Sequence, residues 1–199
     1  MENLVVHRIL EQHAATRGDA IAISQDGDAV TYRELNVRAN GIARQLLDAG
    51  FRRGGHLVVS MEHGIELAAV LLAALKVGGC YTWQAPGTLR LPWPAAIAPG
   101  PDDDPRSYRP VDIVSMMRQH VRTSPNLPVL TRPSDLACVL AGGGGHVLVP
   151  HSTITALRQH KPASPQQWDG EPSTFDLWAG LMKGAALSVT AAPVLVNAA

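Results

Sequence analysis

The chain has 199 residues, 46% of them hydrophobic and 17% charged, with 17 basic and 17 acidic residues and a formal net charge of zero. That length predicts one substantial core in one domain. The balanced charge excludes the basic face a nucleic-acid partner requires, and no apolar run approaches the ~20 residues of a membrane span. The N-terminus lacks the basic start and long apolar stretch of a signal peptide, so a globular cytoplasmic protein is expected. Cys80 and Cys138 have no C-x-x-C spacing and are expected to be buried, reduced thiols.

Val6, Ile9, Leu10 and His13 form one stripe of a helix predicted over 5–15. A strand follows at 20–24, a turn carrying Asp26-Gly27, and a returning strand at 29–31. Thr31 with Glu34 three positions later has capping-box spacing, opening a helix that Gly50 ends. Its inward positions are Leu35, Ala39, Ile42, Leu46 and Leu47. A buried strand at 56–61, an apolar helix at 65–77 closed by Gly78-Gly79, and a strand at 80–83 complete a β–α–β–α–β alternation. Such alternation implies parallel strands and crossover helices.

All 15 prolines lie at or after Pro86. They predict an irregular linker over 86–110, because proline breaks helices and central strands. Asp102, Asp103 and Asp104 in that stretch read as a solvated bend, not a metal site. A helix is expected over 111–121 with Val114, Met117 and Val121 inward. Two short apolar runs, 136–141 and 147–149, then flank Gly142, Gly143, Gly144 and Gly145, predicting strand–loop–strand. A helix is expected from His151 to Gln159, and a polar surface loop over 161–172. Glycine amides can form an anion nest, but no lysine follows these glycines and no hydroxyl lies among them. A tight or mobile link between strands is the expectation.

Several of these segments together resemble the adenylate-forming superfamily, in particular the N-terminal part of nonribosomal peptide synthetase adenylation domains. T-Y-R-E-L at 31–35 and L-K-V-G-G-C-Y-T-W at 75–83 are similar to structural motifs of that family. The frame D-L-A-C-V-L … V-L-V-P-H at 135–151 is similar to its phosphate-loop region. There the family carries Y-T-S-G-S-T-G-x-P-K-G to hold the triphosphate of ATP, whereas this chain has A-G-G-G-G-H at 141–146. S-T-F-D-L-W at 173–178 resembles S-F-D-x-S-x-W, whose aspartate binds the substrate α-amino group in amino-acid-activating members. Asp176 is the matching position, a vestigial substrate contact that as an isolated residue reads as a carboxylate at a helix N-terminus. L-M-K-G-A-A-L-S-V at 181–189 resembles a helix-to-strand step of the family. Nothing after it resembles the adenine-binding, ribose-binding or hinge motifs, or the small C-terminal subdomain with its lysine.

Of eight histidines, none has metal-ligand spacing. His146 and His151 flank one strand at an odd separation, and His56 and His63 bracket another, so satisfied or exposed side chains are expected. No G-x-S-x-G elbow is present, and the glycine run lacks a dinucleotide-binding context. The expectation is therefore an α/β fold, a mostly parallel sheet with crossover helices, forming a partial adenylate-forming N-terminal subdomain. It divides into a regular core at 1–85, the proline-rich linker at 86–110 and a degenerate remainder at 111–199. No catalytic residue, cofactor or metal is assigned, and Gly142, Gly143, Gly144 and Gly145 are a vestigial phosphate loop. The expected role is a catalytically incompetent structural or docking element beside carrier-protein or tailoring domains of a peptide synthetase. The alternatives are a small-ligand or nucleotide-binding module using Gly142 to Gly145, and a fragment of an active amino-acid-activating synthetase.

Overall fold

The computed structural model describes residues 4–84, 95–99, 108–118, 123–128, 131–142, 145–159, 167–168 and 174–189. The run of Asp102, Asp103 and Asp104, most of 161–172, and Val121, Gly143 and Gly144 lie outside the described residues. Helix α1 (Val6–Thr16) leads into the hairpin β1 (Ile21–Gln25) and β2 (Asp28–Thr31). Asp26 and Gly27, both at positive φ (51° and 92°), make its turn. Helix α2 (Tyr32–Asp48) starts on the expected capping box: Thr31 Oγ1 accepts the Glu34 amide at 3.2 Å and Glu34 Oε2 accepts the Thr31 amide at 2.8 Å. Strand β3 (His56–Ser60), helix α3 (Ile65–Lys76) and strand β4 (Cys80–Gln84) follow as predicted.

Next come β5 (Ala95–Pro99), β6 (Tyr108–Val111), α4 (Ile113–Arg118), β7 (Leu136–Gly142) and β8 (Gly145–Pro150). The chain continues through α5 (His151–Ala156) and a 3₁₀ turn, Leu157–Gln159, to β9 (Gln167–Trp168), α6 (Phe175–Met182) and β10 (Leu187–Val189). The α/β class holds, with β3, β4 and β7 parallel and α3 crossing between β3 and β4. The alternation is nevertheless split over two sheets. One sheet has the order β6-β5-β3-β4-β7-β8, and the other β2-β1-β10-β9. β1 pairs in parallel with β10, and this distant pairing takes the first hairpin out of the sheet containing β3. Antiparallel pairs flank the parallel centre on both sides.

The proline-rich stretch contributes β5 and β6, which the sequence reading left irregular. Pro110 lies on β6, the edge strand, where its missing N–H has no ladder partner to serve, and Pro99 ends β5. In α4 the buried residues are Ile113 and Met116, not the expected Val114 and Met117, which are only partly buried.

Helix α3 lies at the centre. Every residue except Glu66 is buried, and it packs on α2, on β4 of one sheet and on β1 of the other. A helix apolar on all sides is stable only when enclosed. Each fully buried leucine or valine in it contributes about 1.5–3 kcal/mol. Its exit is equally tight: a Cβ on Gly79 would stand 2.6 Å from the Phe51 ring and 2.7 Å from the Gly55 carbonyl. Only glycine fits that step.

Candidate functional site

The site to be judged is the β7–β8 hairpin, where the resembled family would bind phosphate. Its register pairs Ala141 with His146 and Gly142 with Gly145, leaving only Gly143 and Gly144 between the strands in sequence. The ladder thus continues up to the two intervening residues. Gly145 has φ 132°, a conformation reserved for glycine. Backbone groups engaged in an antiparallel ladder are not available together as the convergent amides of an anion nest. Beyond the turn, His146, Val147 and Leu148 are exposed on β8, the last strand of the six-stranded sheet.

Two open clefts lie elsewhere on the molecule, and neither is lined by the residues of the glycine turn. One, of about 410 Å³, is lined by Arg53, Gly79, Cys80 and Asp135. Its Arg53 is spent on Asp135, 3.1 Å away. The Arg132 amide first, and Arg53 second, hold the Asp135 carboxyl below its ordinary pKa. The other, of about 400 Å³ between Gln25, Asp28, Arg38 and Glu66, is crossed by the Arg38–Glu66 pair at 3.0 Å. Among the described residues no group of three or more His, Cys, Asp or Glu side chains could hold a metal.

Asp176 stands in the first turn of α6 with its side chain exposed. The helix beneath it is fixed by buried polar contacts that the sequence reading did not foresee. Trp178 Nε1 donates to Tyr81 Oη at 2.6 Å, and Tyr81 Oη shares a 2.5 Å hydrogen bond with Thr174 Oγ1. Tyr32 Oη donates to the Leu181 and Ala185 carbonyls at 3.0 and 2.8 Å, and His13 Nε2 lies 2.9 Å from the Met182 carbonyl oxygen. Burial pushes the Tyr81 and Tyr32 phenols above their ordinary pKa, so both remain protonated hydrogen-bonding groups. Both tyrosines belong to the two motifs read as structural, and that is their use here. The region under Asp176 is a rigid platform, while the carboxylate itself points to solvent.

A second buried network was also missed. Lys76 Nζ meets Glu11 Oε1 at 2.5 Å and Asn126 Oδ1 at 3.3 Å, and Asn40 Nδ2 donates to Asn126 Oδ1 at 3.0 Å. Arg44 Nη2 donates to the Pro125 carbonyl at 2.7 Å, so residues 123–128 are tied across α1, α2 and α3. Burial lowers the Lys76 pKa to about 8, and Glu11 offsets part of that effect. Glu11 shares a helix face with His7 and Ala14, not with the Ile9–Leu10 stripe, so the apolar pattern of α1 gave no signal for it.

The histidines divide. His56 Nε2 lies 2.8 Å from Thr82 Oγ1, and the His63 ring packs 4.4 Å from that of Trp83. His151 departs from expectation. It begins α5 as expected and is 0% exposed, but only its Nδ1 is partnered, and its Nε2 has no hydrogen-bond partner among the described residues. Cys80 and Cys138 are buried free thiols on adjacent strands.

Comparison with known proteins agrees with this fold. A family model described as AMP-binding enzyme matches residues 10–89. Surfactin synthase subunit 2 of Bacillus subtilis (strain 168) is 26% identical over 99% of this chain. Among solved structures, the Klebsiella oxytoca NpsA N-terminal subdomain in complex with 3-hydroxyanthranilyl-AMSN superposes with a TM-score of 0.72 at 21% identity. That match covers 94% of this chain and 53% of the other. An artificially fused adenylation–PCP di-domain, NpsA-ThdA from the same organism, gives a TM-score of 0.75 at 19% identity over 96% of this chain and 40% of the other. The chain spans 6% of the surfactin synthase subunit. No helix among the described residues is long and apolar enough to cross a membrane.

Proposed function

We propose that this chain, an N-terminal adenylation-domain segment of the nonribosomal peptide synthetase kind in sequence and fold, is a structural or docking element that performs no adenylation itself. The observation that carries this reading is the β7–β8 hairpin. It closes through the Gly142–Gly145 pair, with neither lysine nor hydroxyl between Ala141 and His146. Adenylation must hold a carboxylate in line with the α-phosphate while cationic donors absorb the developing charge. Losing one such donor costs typically ~10²–10³ in rate, and here the whole loop set is missing. The packing motifs, by contrast, are intact: Thr31 and Glu34 cap α2, and Tyr81 and Trp178 lock α6 to β4. Gly142, Gly143, Gly144, Gly145 and Asp176 are in this reading remnants of binding positions. The partners proposed are carrier-protein or tailoring domains of a cytoplasmic synthetase assembly.

Amino-acid-dependent pyrophosphate exchange measured on the purified chain is expected to equal the enzyme-free blank. Exchange above the blank that disappears in Asp176→Asn would overturn the catalytic half of the proposal. The docking half is tested in the producing organism by deleting the segment encoding the chain without shifting the frame. Reduced product yield or reduced solubility of neighbouring domains is expected, and no change in either defeats it.

A further inference from the structure

We propose that His7 and His151 form an acid-sensitive latch in which the His151 imidazole caps helix α1 from the start of helix α5. Helix α1 has no cap of its own, because Val5 stands at its N-cap without a side-chain oxygen. Its first amide, on Val6, donates instead to His151 Nδ1 at 3.3 Å. An unpaired N–H at a buried helix start is costly, so the imidazole does the work that serine or aspartate does elsewhere.

This cap exists in one protonation state only. Nδ1 accepts a hydrogen bond only while it carries no proton, which puts the proton of the neutral ring on Nε2. A second proton turns Nδ1 into a donor facing another donor, and the cap is lost. It also places a cation at the N-termini of α1 and α5 together, the wrong sign for both helix dipoles. His7, in the first turn of α1, meets His151 edge to face with ring centroids 5.8 Å apart. The rings are 2% and 0% exposed, and His7 Nδ1 and His151 Nε2 have no hydrogen-bond partner among the described residues.

The surroundings favour the neutral rings. Lys76 on α3 and Arg8 on α1 bring positive charge to His7, and Glu11 is already paired with both. Asp135, ahead of β7, is the acid that opposes the effect at His151. Helix α6, packed on α1 and α5, buries Leu177, Trp178, Leu181 and Met182 and leaves Asp176 in solvent. Burial accordingly pulls His7 below its ordinary pKa and His151 down to about 4. The unfolded chain therefore takes up protons first as pH falls. The stabilisation is complete above about 6.5 and is lost between there and about 4.

The test is an NMR titration of the full chain from pH 7.5 to 4, following both imidazoles and the Val6 amide, with hydrogen exchange of α1 corrected for intrinsic rate. The expected result is a His151 titration near 4, and opening of α1 that rises roughly a hundredfold between pH 6.5 and 4. His151→Asn retains an acceptor but cannot titrate, so it should reduce that rise, leaving only the part that His7 carries. His151 titrating near 6.5 in the folded chain, or a rise unchanged in His151→Asn, overturns the latch. If His151→Asn does not fold, the wild-type titration and exchange decide alone.

Discussion

Lys76 and Glu11 show how much a single buried pair can govern. Lys76 has 0% of its side chain exposed, whereas Glu11 keeps 7% and a second partner, Arg8, at 2.7 Å. Removing one member of a buried pair costs about 3–5 kcal/mol because the other charge is stranded. The two removals should therefore differ. Glu11→Ala strands a fully enclosed ammonium and should fall in that range in urea denaturation, while Lys76→Met leaves Glu11 with Arg8 and should cost clearly less. Equal losses would contradict this account. The thiols provide a second residue-scale test. Burial pushes Cys80 to about 11 and Cys138 to about 12, so neither forms thiolate at neutral pH. Iodoacetamide at pH 8 should leave both unmodified in the native chain and alkylate both in denaturant.

At the scale of elements, α6 is held by the Tyr81–Thr174–Trp178 contacts, and Tyr81→Phe removes the shared hydroxyl without changing ring volume. The Trp178 indole N–H then lies buried without an acceptor, a loss of about 1–3 kcal/mol in denaturant unfolding. Thr31→Ala at the start of α2 should cost ~0.5–2 kcal/mol, and Thr31→Ser should restore most of it. Elements of this kind explain what was legible in the sequence. The capping box, the Asp26-Gly27 turn and the apolar run of α3 are determined by residues a few positions apart. The partition into two sheets was not legible, because β1 chooses β10 from near the other end of the described chain. β5 and β6 were hidden because prolines argue only against central ladder positions, and Pro110 occupies an edge. In the candidate site, the absence of lysine and hydroxyl side chains between Ala141 and His146 was readable directly. The His151 cap was not, since nothing local marks a contact between α1 and α5.

For the molecule as a whole, the question is whether the first 85 residues fold separately from the part carrying the glycine hairpin. The packing argues that they do not. One continuous core joins Ile23 and Val30 of the first sheet, Leu57 and Val59 of the second, α3 between them, and Leu177, Trp178 and Leu181 of α6. Trp178 is fully buried in it and bonded to Tyr81 on β4, while Tyr32 on α2 bonds the carbonyls at the end of α6. No part of this core can be exposed without opening both sheets. Unfolding in urea should therefore be a single transition, with tryptophan fluorescence and far-ultraviolet circular dichroism superimposing. Trp178→Phe provides the control. It opens a void and leaves Tyr81 one partner short, so the shared midpoint should fall in both signals together. Two midpoints in the native chain, or a shift confined to one signal in the variant, would mean that the early motifs fold alone.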